Sequence, residues 1–160
     1  MQKKTGFKAG FPVAIGYLPI ALTFGLLARN NGLSFLNTFL MSVMVFAGAS
    51  QFVAVNLVAL GTGRIEIIMT TFILNFRHFL MSASLSQKVK NNIPKNLLAL
   101  LSFGITDETF SVASMQGEKL DSKFILELNL ISYLAWISGS AAGHWLGASL
   151  PEIIQASMGI

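Results

Sequence analysis

Long apolar runs separated by short polar gaps dominate the chain. A bilayer core about 30 Å thick needs roughly 20 residues of α-helix, and five runs are close to or above that length. They cover residues 11–29, 33–61, 65–86, 94–116 and 123–147. The pattern predicts an all-α fold, a polytopic integral membrane helix bundle with about five transmembrane spans in a single domain over residues 1–160.

The two ends of the chain carry apolar segments of less obvious status. The first run follows Lys3, Lys4 and Lys8, as in a secretory signal peptide, but it is longer than a signal core and contains two prolines. We expect it to remain as a span. Segment 151–160 is apolar and opens with a proline, which suits a first helical position. We interpret this segment as the start of a sixth element.

The second run, residues 33–61, is longer than an ordinary span and has small residues at its midpoint. Those residues are Gly48, Ala49 and Ser50, followed by Gln51. A helix break inside the hydrocarbon is tolerated only against protein or a water-filled cavity. Two structures fit the run: one long tilted helix, or two half-helices that meet at the glycine as a broken or re-entrant element. Gly25 and Gly104 interrupt two other spans, and close helix packing is the simpler explanation for each glycine taken alone.

Composition agrees with a membrane protein. Hydrophobic residues make up 53% of the chain and charged residues 11%, against roughly 25% charged residues in an ordinary soluble domain. The net charge of +4 comes from lysines and arginines spread over the gaps between runs, which argues against nucleic-acid binding. With no cysteine and two histidines, the chain is expected to hold neither a metal nor a cofactor.

The distribution of positive charge gives a weak preference for one orientation. If the N-terminus is cytoplasmic, six lysines and arginines of the gaps lie inside and four lie outside. The count is the same whether 33–61 crosses once or is re-entrant. The positive-inside rule therefore predicts a cytoplasmic N-terminus and leaves the path of that run open.

Ionisable residues at membrane depth are the strongest sign of function. Arg77 lies near the middle of the third span, and Asp107 and Glu108 lie near the middle of the fourth. Each such charge costs about 2.5–3.5 kcal/mol at a helix centre, so we expect Arg77 to pair with Asp107 or Glu108. The pair could serve helix packing alone. Alternatively, it could line a hydrated cavity in which a carboxylate or His78 binds and releases a proton.

Several motifs resemble the AzlC-type branched-chain amino-acid permeases, the large subunits of two-component bacterial exporters. They are Pro12 to Pro19 with Phe24-Gly25 and Ala28, Gly32-Leu33-Ser34, Phe46 to Phe52, Asn75-Phe76-Arg77-His78 with Leu80-Met81, and Thr106-Asp107-Glu108. The resemblance implies ion-coupled export of leucine, isoleucine, valine or analogues across the bacterial inner membrane. It also implies a small hydrophobic partner subunit of the AzlD type. Family members are longer and carry further C-terminal helices, which suggests that this chain is truncated at its C-terminus.

An amino-acid substrate needs donors for its carboxylate and acceptors for its ammonium. A half-helix N-terminus offers free backbone N–H groups, and a continuous helix does not. We therefore predict that the segment from Gly48 to Gln51 contributes to the substrate site, with its glutamine amide as donor and acceptor. The alternative is that Gly48 serves helix packing and that the Gln51 amide bonds across to another helix. Gly25 and Gly104 are further candidates. Phe24-Gly25 recurs as Phe103-Gly104. Two explanations fit this recurrence: an inverted repeat, as in many secondary transporters, or chance similarity between two apolar helices.

Two other classes of function were compared with transport. Ser50 and His144 could form the Ser–His dyad of an intramembrane serine protease, although Gln51 stands where the rhomboid pattern has a glycine. That reading leaves the deep charges without a role. A non-transporting scaffold of a membrane complex is the third class, and transport assays in sealed vesicles would separate it from a carrier.

Overall fold

A computed structural model describes residues 5–89, 93–117 and 119–147. These residues form seven helices and no strand: α1 (Gly6–Asn30), α2 (Phe35–Met44), α3 (Gly48–Ala59), α4 (Arg64–Ser86), α5 (Lys95–Phe103), α6 (Asp107–Ser114) and α7 (Ser122–Gly147). The predicted all-α class is confirmed. The proposed sixth element at 151–160 lies outside the described residues.

The two longest helices, α1 and α7, pack side by side along their length and form the centre of the bundle. Glycines make this close approach feasible. A Cβ atom at Gly25 would overlap the carbonyl oxygen of Ser140, and one at Gly143 would overlap the carbonyl oxygen of Leu22. Gly25 therefore serves close packing between helices, which is the simpler of the two explanations that its sequence allowed.

Among the described helices, α1 and α7 are each long and apolar enough to cross a membrane. The pair α5 and α6 reaches the same length and hydropathy together, but its two halves are bent by 115°. The other apolar helices, α2 and α3, are shorter. These helices are consistent with a membrane bundle, and the count of five spans stays a prediction.

Two of the predicted spans are broken. In the second run, one helix ends at Met44 and the next begins at Gly48. The predicted break at this glycine is confirmed, and the alternative of one long tilted helix is wrong. Phe46 in the junction has a φ of 44°, a left-handed conformation that is strained for a bulky residue. The fourth run breaks between Phe103 and Asp107, and Thr106 caps the new helix with reciprocal bonds to Thr109.

The two segments that suggested an inverted repeat differ in conformation. Phe24-Gly25 lies inside the continuous helix α1, whereas Phe103-Gly104 lies where α5 ends. The repeat stays a prediction, and these two Phe-Gly pairs lend it no structural support.

Candidate solute site

The N-termini of the two half-helices that follow the breaks line the same cavity. Its volume is about 280 Å³. The lining residues come from five helices and the two junctions: Tyr17, Ile20, Phe46, Ala47, Gly48, Ala49, Phe52, Arg77, His78, Thr106, Asp107, Glu108 and Trp136. The cavity thus brings Gly48 and Ala49 together with all four residues predicted for charge pairing and ion coupling.

The ion pair predicted between Arg77 and a carboxylate is formed at this cavity. Arg77 Nη1 lies 2.6 Å from Asp107 Oδ2, and the two side chains are 42% and 47% exposed. Charges with that much open surface are not stable against hydrocarbon. The open side of the pair therefore faces water or further protein.

The second carboxylate, Glu108, has a different partner. The hydroxyl of Tyr17 donates to Glu108 Oε2 and lies 2.6 Å from Thr106 Oγ1. Because the single phenolic proton goes to the carboxylate, the threonine hydroxyl is the donor in the second bond. Arg77 is thus paired with Asp107, and Tyr17 on α1 holds Glu108 at the cavity wall.

The two helix N-termini at the cavity differ in electrostatic character. Within the described part of the chain, no side chain caps α3, and the first N–H groups of a helix have no partner within it. The N–H groups of Gly48 and Ala49 are therefore available to an anion. In contrast, α6 has the cap from Thr106 and carries Asp107 and Glu108 in its first turn. One side of the cavity favours negative charge, and the other favours positive charge.

Gln51 does not line the cavity, contrary to its predicted role as a solute ligand. It is 1% exposed, and its Oε1 accepts from Trp136 Nε1 at 3.0 Å and from Ala47 N at 3.2 Å. Its Nε2 donates to Ser42 Oγ at 3.3 Å. The amide is occupied in joining α2, α3 and α7. Ser50 is likewise buried, and its hydroxyl donates to the carbonyl of Ala47 at 2.9 Å.

The two outlying glycines also lie away from the cavity lining. Gly25 faces α7, as described above. A Cβ atom at Gly104 would meet the side chain of Asn129, whose Nδ2 donates to the carbonyl of Leu101 at 2.9 Å. Both glycines are packing positions in this structure, and Gly48 alone of the predicted glycines reaches the cavity.

Two aromatic residues of the cavity were missed by the sequence analysis. Tyr17 and Trp136 face each other with ring centroids 5.6 Å apart, and Trp136 also covers Gly48. Both lie inside long apolar helices. In such a helix, the sequence pattern does not distinguish an aromatic residue that lines a cavity from one that packs in the core. The hydroxyl of Tyr17 was the one available hint, since a buried tyrosine needs a polar partner.

The dyad required by the protease alternative is not formed. The Ser50 hydroxyl donates to a backbone carbonyl, and His144 Nδ1 lies 3.0 Å from Thr38 Oγ1. Each group is engaged with a different partner. Nor do the described residues contain a group of three His, Asp or Glu side chains that could hold a metal ion.

Comparison with known proteins identifies the relatives of the chain. A family model described as "AzlC protein" matches residues 12–150. The chain is 37% identical to an uncharacterized membrane protein of Archaeoglobus fulgidus, over 94% of this chain and 67% of that protein. It is 30% identical to the inner membrane protein YgaZ of Escherichia coli, over 96% of this chain and 66% of YgaZ.

A third relative has a name that states a function. The chain is 28% identical to the branched-chain amino acid transport protein AzlC of Bacillus subtilis, over 91% of this chain and 58% of that protein. No solved structure matches the chain. The chain thus spans between 58% and 67% of the length of these three relatives.

Proposed function

This chain is a membrane protein that belongs to the AzlC family, and we propose that it forms the solute-binding part of a secondary transporter for branched-chain amino acids. The name of the Bacillus subtilis relative supports this substrate class, and that of YgaZ supports an inner-membrane location. The observation that carries the proposal is the cavity where the uncapped N-terminus of α3 and the acidic N-terminus of α6 meet.

The electrostatics of the cavity match a zwitterion. The α-carboxylate would accept from the N–H groups of Gly48 and Ala49, with Arg77 as a cation in the same cavity lining. The α-ammonium would donate to Glu108 or Asp107 at the opposite helix N-terminus.

The remaining walls suit an aliphatic side chain. Phe46, Phe52 and Trp136 contribute apolar aromatic surface, and Ile20 adds an aliphatic contact. Burial of a leucine-sized side chain against such walls contributes roughly 1.5–3 kcal/mol to binding. Trp136 is fixed by its bond to Gln51, so Gln51 acts on the site by positioning this wall.

The charged residues give the cavity a means of ion coupling and export. Arg77, His78, Asp107 and Glu108 all line it, and a proton bound by His78 or a carboxylate would change the charge that the solute meets. Ion-driven export would follow if the proton and the amino acid bind in alternation. This coupling is part of the proposal.

A small hydrophobic subunit of the AzlD type completes the proposal. The helix that carries Arg77 has little cover, because Leu85 is the one buried residue that α4 presents in the described chain. Large apolar side chains such as Phe72 and Phe79 are about two-thirds exposed. A hydrophobic partner against this helix would shield the ion pair from lipid.

Counterflow of labelled leucine in proteoliposomes tests the proposal. The chain should be reconstituted with and without a candidate small subunit. We expect exchange with the subunit present, a strong loss in Glu108→Gln, and little change in the control Gly16→Ala, whose Cβ would meet nothing within 4 Å. Absence of leucine exchange with the subunit present, or equal exchange in Glu108→Gln, would contradict the proposal.

A further inference from the structure

A buried imidazole lies about two helical turns beyond the cavity wall at Trp136. His144 is 2% exposed and belongs to the last turn of α7. Its Nδ1 lies 3.0 Å from Thr38 Oγ1 on α2. The hydroxyl of Thr38 has one proton and two acceptors within reach, His144 Nδ1 and the carbonyl of Ser34 at 3.1 Å. When the proton goes to Ser34, Nδ1–H is the donor in the bond between the two side chains.

The other ring nitrogen, Nε2, has a free lone pair in that tautomer. His144 Nε2 is buried and has no hydrogen-bond partner among the described residues. The ring packs edge-on against Phe35, with centroids 5.6 Å apart. Buried nitrogen atoms are rarely left unpaired, and each exception needs an explanation. Nothing in the cavity described above uses this atom.

We propose that His144 is in the Nδ1–H tautomer and that its Nε2 is a proton-binding site whose occupancy is transmitted to the cavity through α2. The site takes a proton from hydronium: the N–H bond forms at Nε2, the hydronium becomes water, and the neutral imidazole becomes an imidazolium. Release is the reverse step. The proton site itself stands independently of the solute, whereas its role in transport rests on the function proposed above.

The groups around His144 come from three helices. Arg29 is the charged residue that acts on it from α1, and it is a like charge for the imidazolium. From α2 come the hydroxyl of Thr38 and the ring of Phe35. The third helix is α7, which carries His144 itself. Burial and the like charge of Arg29 both oppose the imidazolium, so a proton bound at this site is readily released.

A ladder of buried polar contacts between α2 and α7 links His144 to the cavity wall. Ser140 and Ser42 form the next rung, with their hydroxyl oxygens 2.8 Å apart. Ser42 in turn accepts from Gln51, which holds Trp136 at the cavity. His144, Ser140 and Trp136 are spaced four residues apart, so the ladder covers about 12 Å of α7.

Protonation changes what the first rung requires. An imidazolium has two N–H donors, and Nε2–H would have no acceptor in the described arrangement. A buried donor without an acceptor destabilises this state, and a shift of α2 that admits water or offers an acceptor removes the destabilisation. Because α2 ends next to Phe46 in the cavity wall, the shift would change access to the cavity.

The position of the site also fits a coupled carrier. His144 packs beside Gly25, five residues before α1 ends at Asn30, so it lies at the end of α1 opposite to its N-terminus. With a cytoplasmic N-terminus, this end faces the outside. A proton that enters from outside would then reach His144 before it reaches the cavity.

Direct proton binding can be measured without any transport assay. The chain, purified without a histidine tag and labelled with nitrogen-15 histidine, would be placed in lipid nanodiscs. His78→Asn leaves His144 as the one labelled residue, since the chain has two histidines. We expect the Nε2 resonance to change from the neutral to the protonated form between about pH 8 and pH 5. A resonance that stays neutral over this range would overturn the proton site.

Coupling is tested with His144→Asn, which keeps an amide donor close to the Nδ1 position for Thr38 but binds no proton. We expect leucine counterflow to persist and accumulation driven by a pH gradient to fall at least tenfold. Accumulation equal to that of wild type would overturn the coupling role. His144→Gln is the second variant if the asparagine variant does not fold. If the wild type shows no counterflow, the proposed function fails, and the resonance still decides whether the proton site exists.

Discussion

Arg77 Nη1 and Asp107 Oδ2 lie 2.6 Å apart, and the pair joins α4 to the start of α6 at the cavity. Both side chains keep more than two-fifths of their surface open. A packing pair surrounded by lipid would not be stable with that exposure. The relationship therefore indicates a hydrated cavity or further protein at this face.

A double-mutant cycle should find coupling between Arg77 and Asp107. Because the pair is partly exposed, we expect a coupling free energy of about 1 kcal/mol, well below that of a fully buried pair. Thermal unfolding of Arg77→Ala, Asp107→Asn and the double variant in detergent gives this value. The same cycle with Glu108→Gln is the control and should be additive within about 0.5 kcal/mol, since Glu108 bonds to Tyr17. Equal coupling to both carboxylates would be at odds with the pairing.

Gly25 and Gly16 provide a matched pair of glycine substitutions in one helix. An added Cβ at Gly25 would overlap the backbone of α7, whereas one at Gly16 meets nothing within 4 Å. Gly25→Ala should therefore lower thermal stability markedly. Gly16→Ala should leave stability unchanged or raise it by up to about 1 kcal/mol through helix propensity. If the two variants melt alike, α1 and α7 do not pack as described.

Removal of the Gln51 amide should destabilise the protein and loosen Trp136. Gln51→Leu leaves Trp136 Nε1 and Ala47 N without their acceptor, at a cost of roughly 1–3 kcal/mol for each buried donor. Trp145→Phe makes Trp136 the one tryptophan, so its fluorescence reports this loosening. Gln116→Leu is the control, because that amide bonds to Val112 one turn away in the chain. Unchanged stability and emission in Gln51→Leu would count against the described wall.

The ends of α1 should lie on opposite sides of the membrane. The chain has no cysteine, so a single introduced cysteine is the sole target of a thiol reagent. Gln2→Cys should react with an impermeant maleimide after permeabilisation and not in intact cells. Asn30→Cys, at the other end of the helix, should react in intact cells. The reverse pattern would invert the predicted orientation.

The sequence predicted those features of the site in which a single residue differs clearly from its apolar neighbours. Arg77 and Asp107 stand out because charge is costly in apolar helices, and Gly48 stands out because small residues occur at the centre of an overlong run. Each signal is local, and each was confirmed as a pair or as a break in the structure.

The contacts that close the cavity could not be predicted in this way. Gln51 was assigned to the solute because its amide offers a donor and an acceptor at membrane depth, but its partner Trp136 lies 85 residues away in the chain. Gly25 and Gly104 show the same difficulty, since a glycine at a helix break and a glycine at a close helix contact look alike in sequence. Only the packing of α7 against the other helices separates them.

Binding of leucine to the purified chain in lipid nanodiscs tests whether the cavity between α3 and α6 holds the solute. Gly48→Leu fills the cavity from the N-terminus of α3, where Trp136 already lies 2.7 Å from an added Cβ. Gly16→Leu adds the same side chain at an open position of α1. We expect saturable leucine binding in wild type and Gly16→Leu, and at least a tenfold weaker affinity in Gly48→Leu, with the folded fraction of each variant measured in parallel. Equal affinity in both variants, or no saturable binding by the wild type, would contradict this expectation.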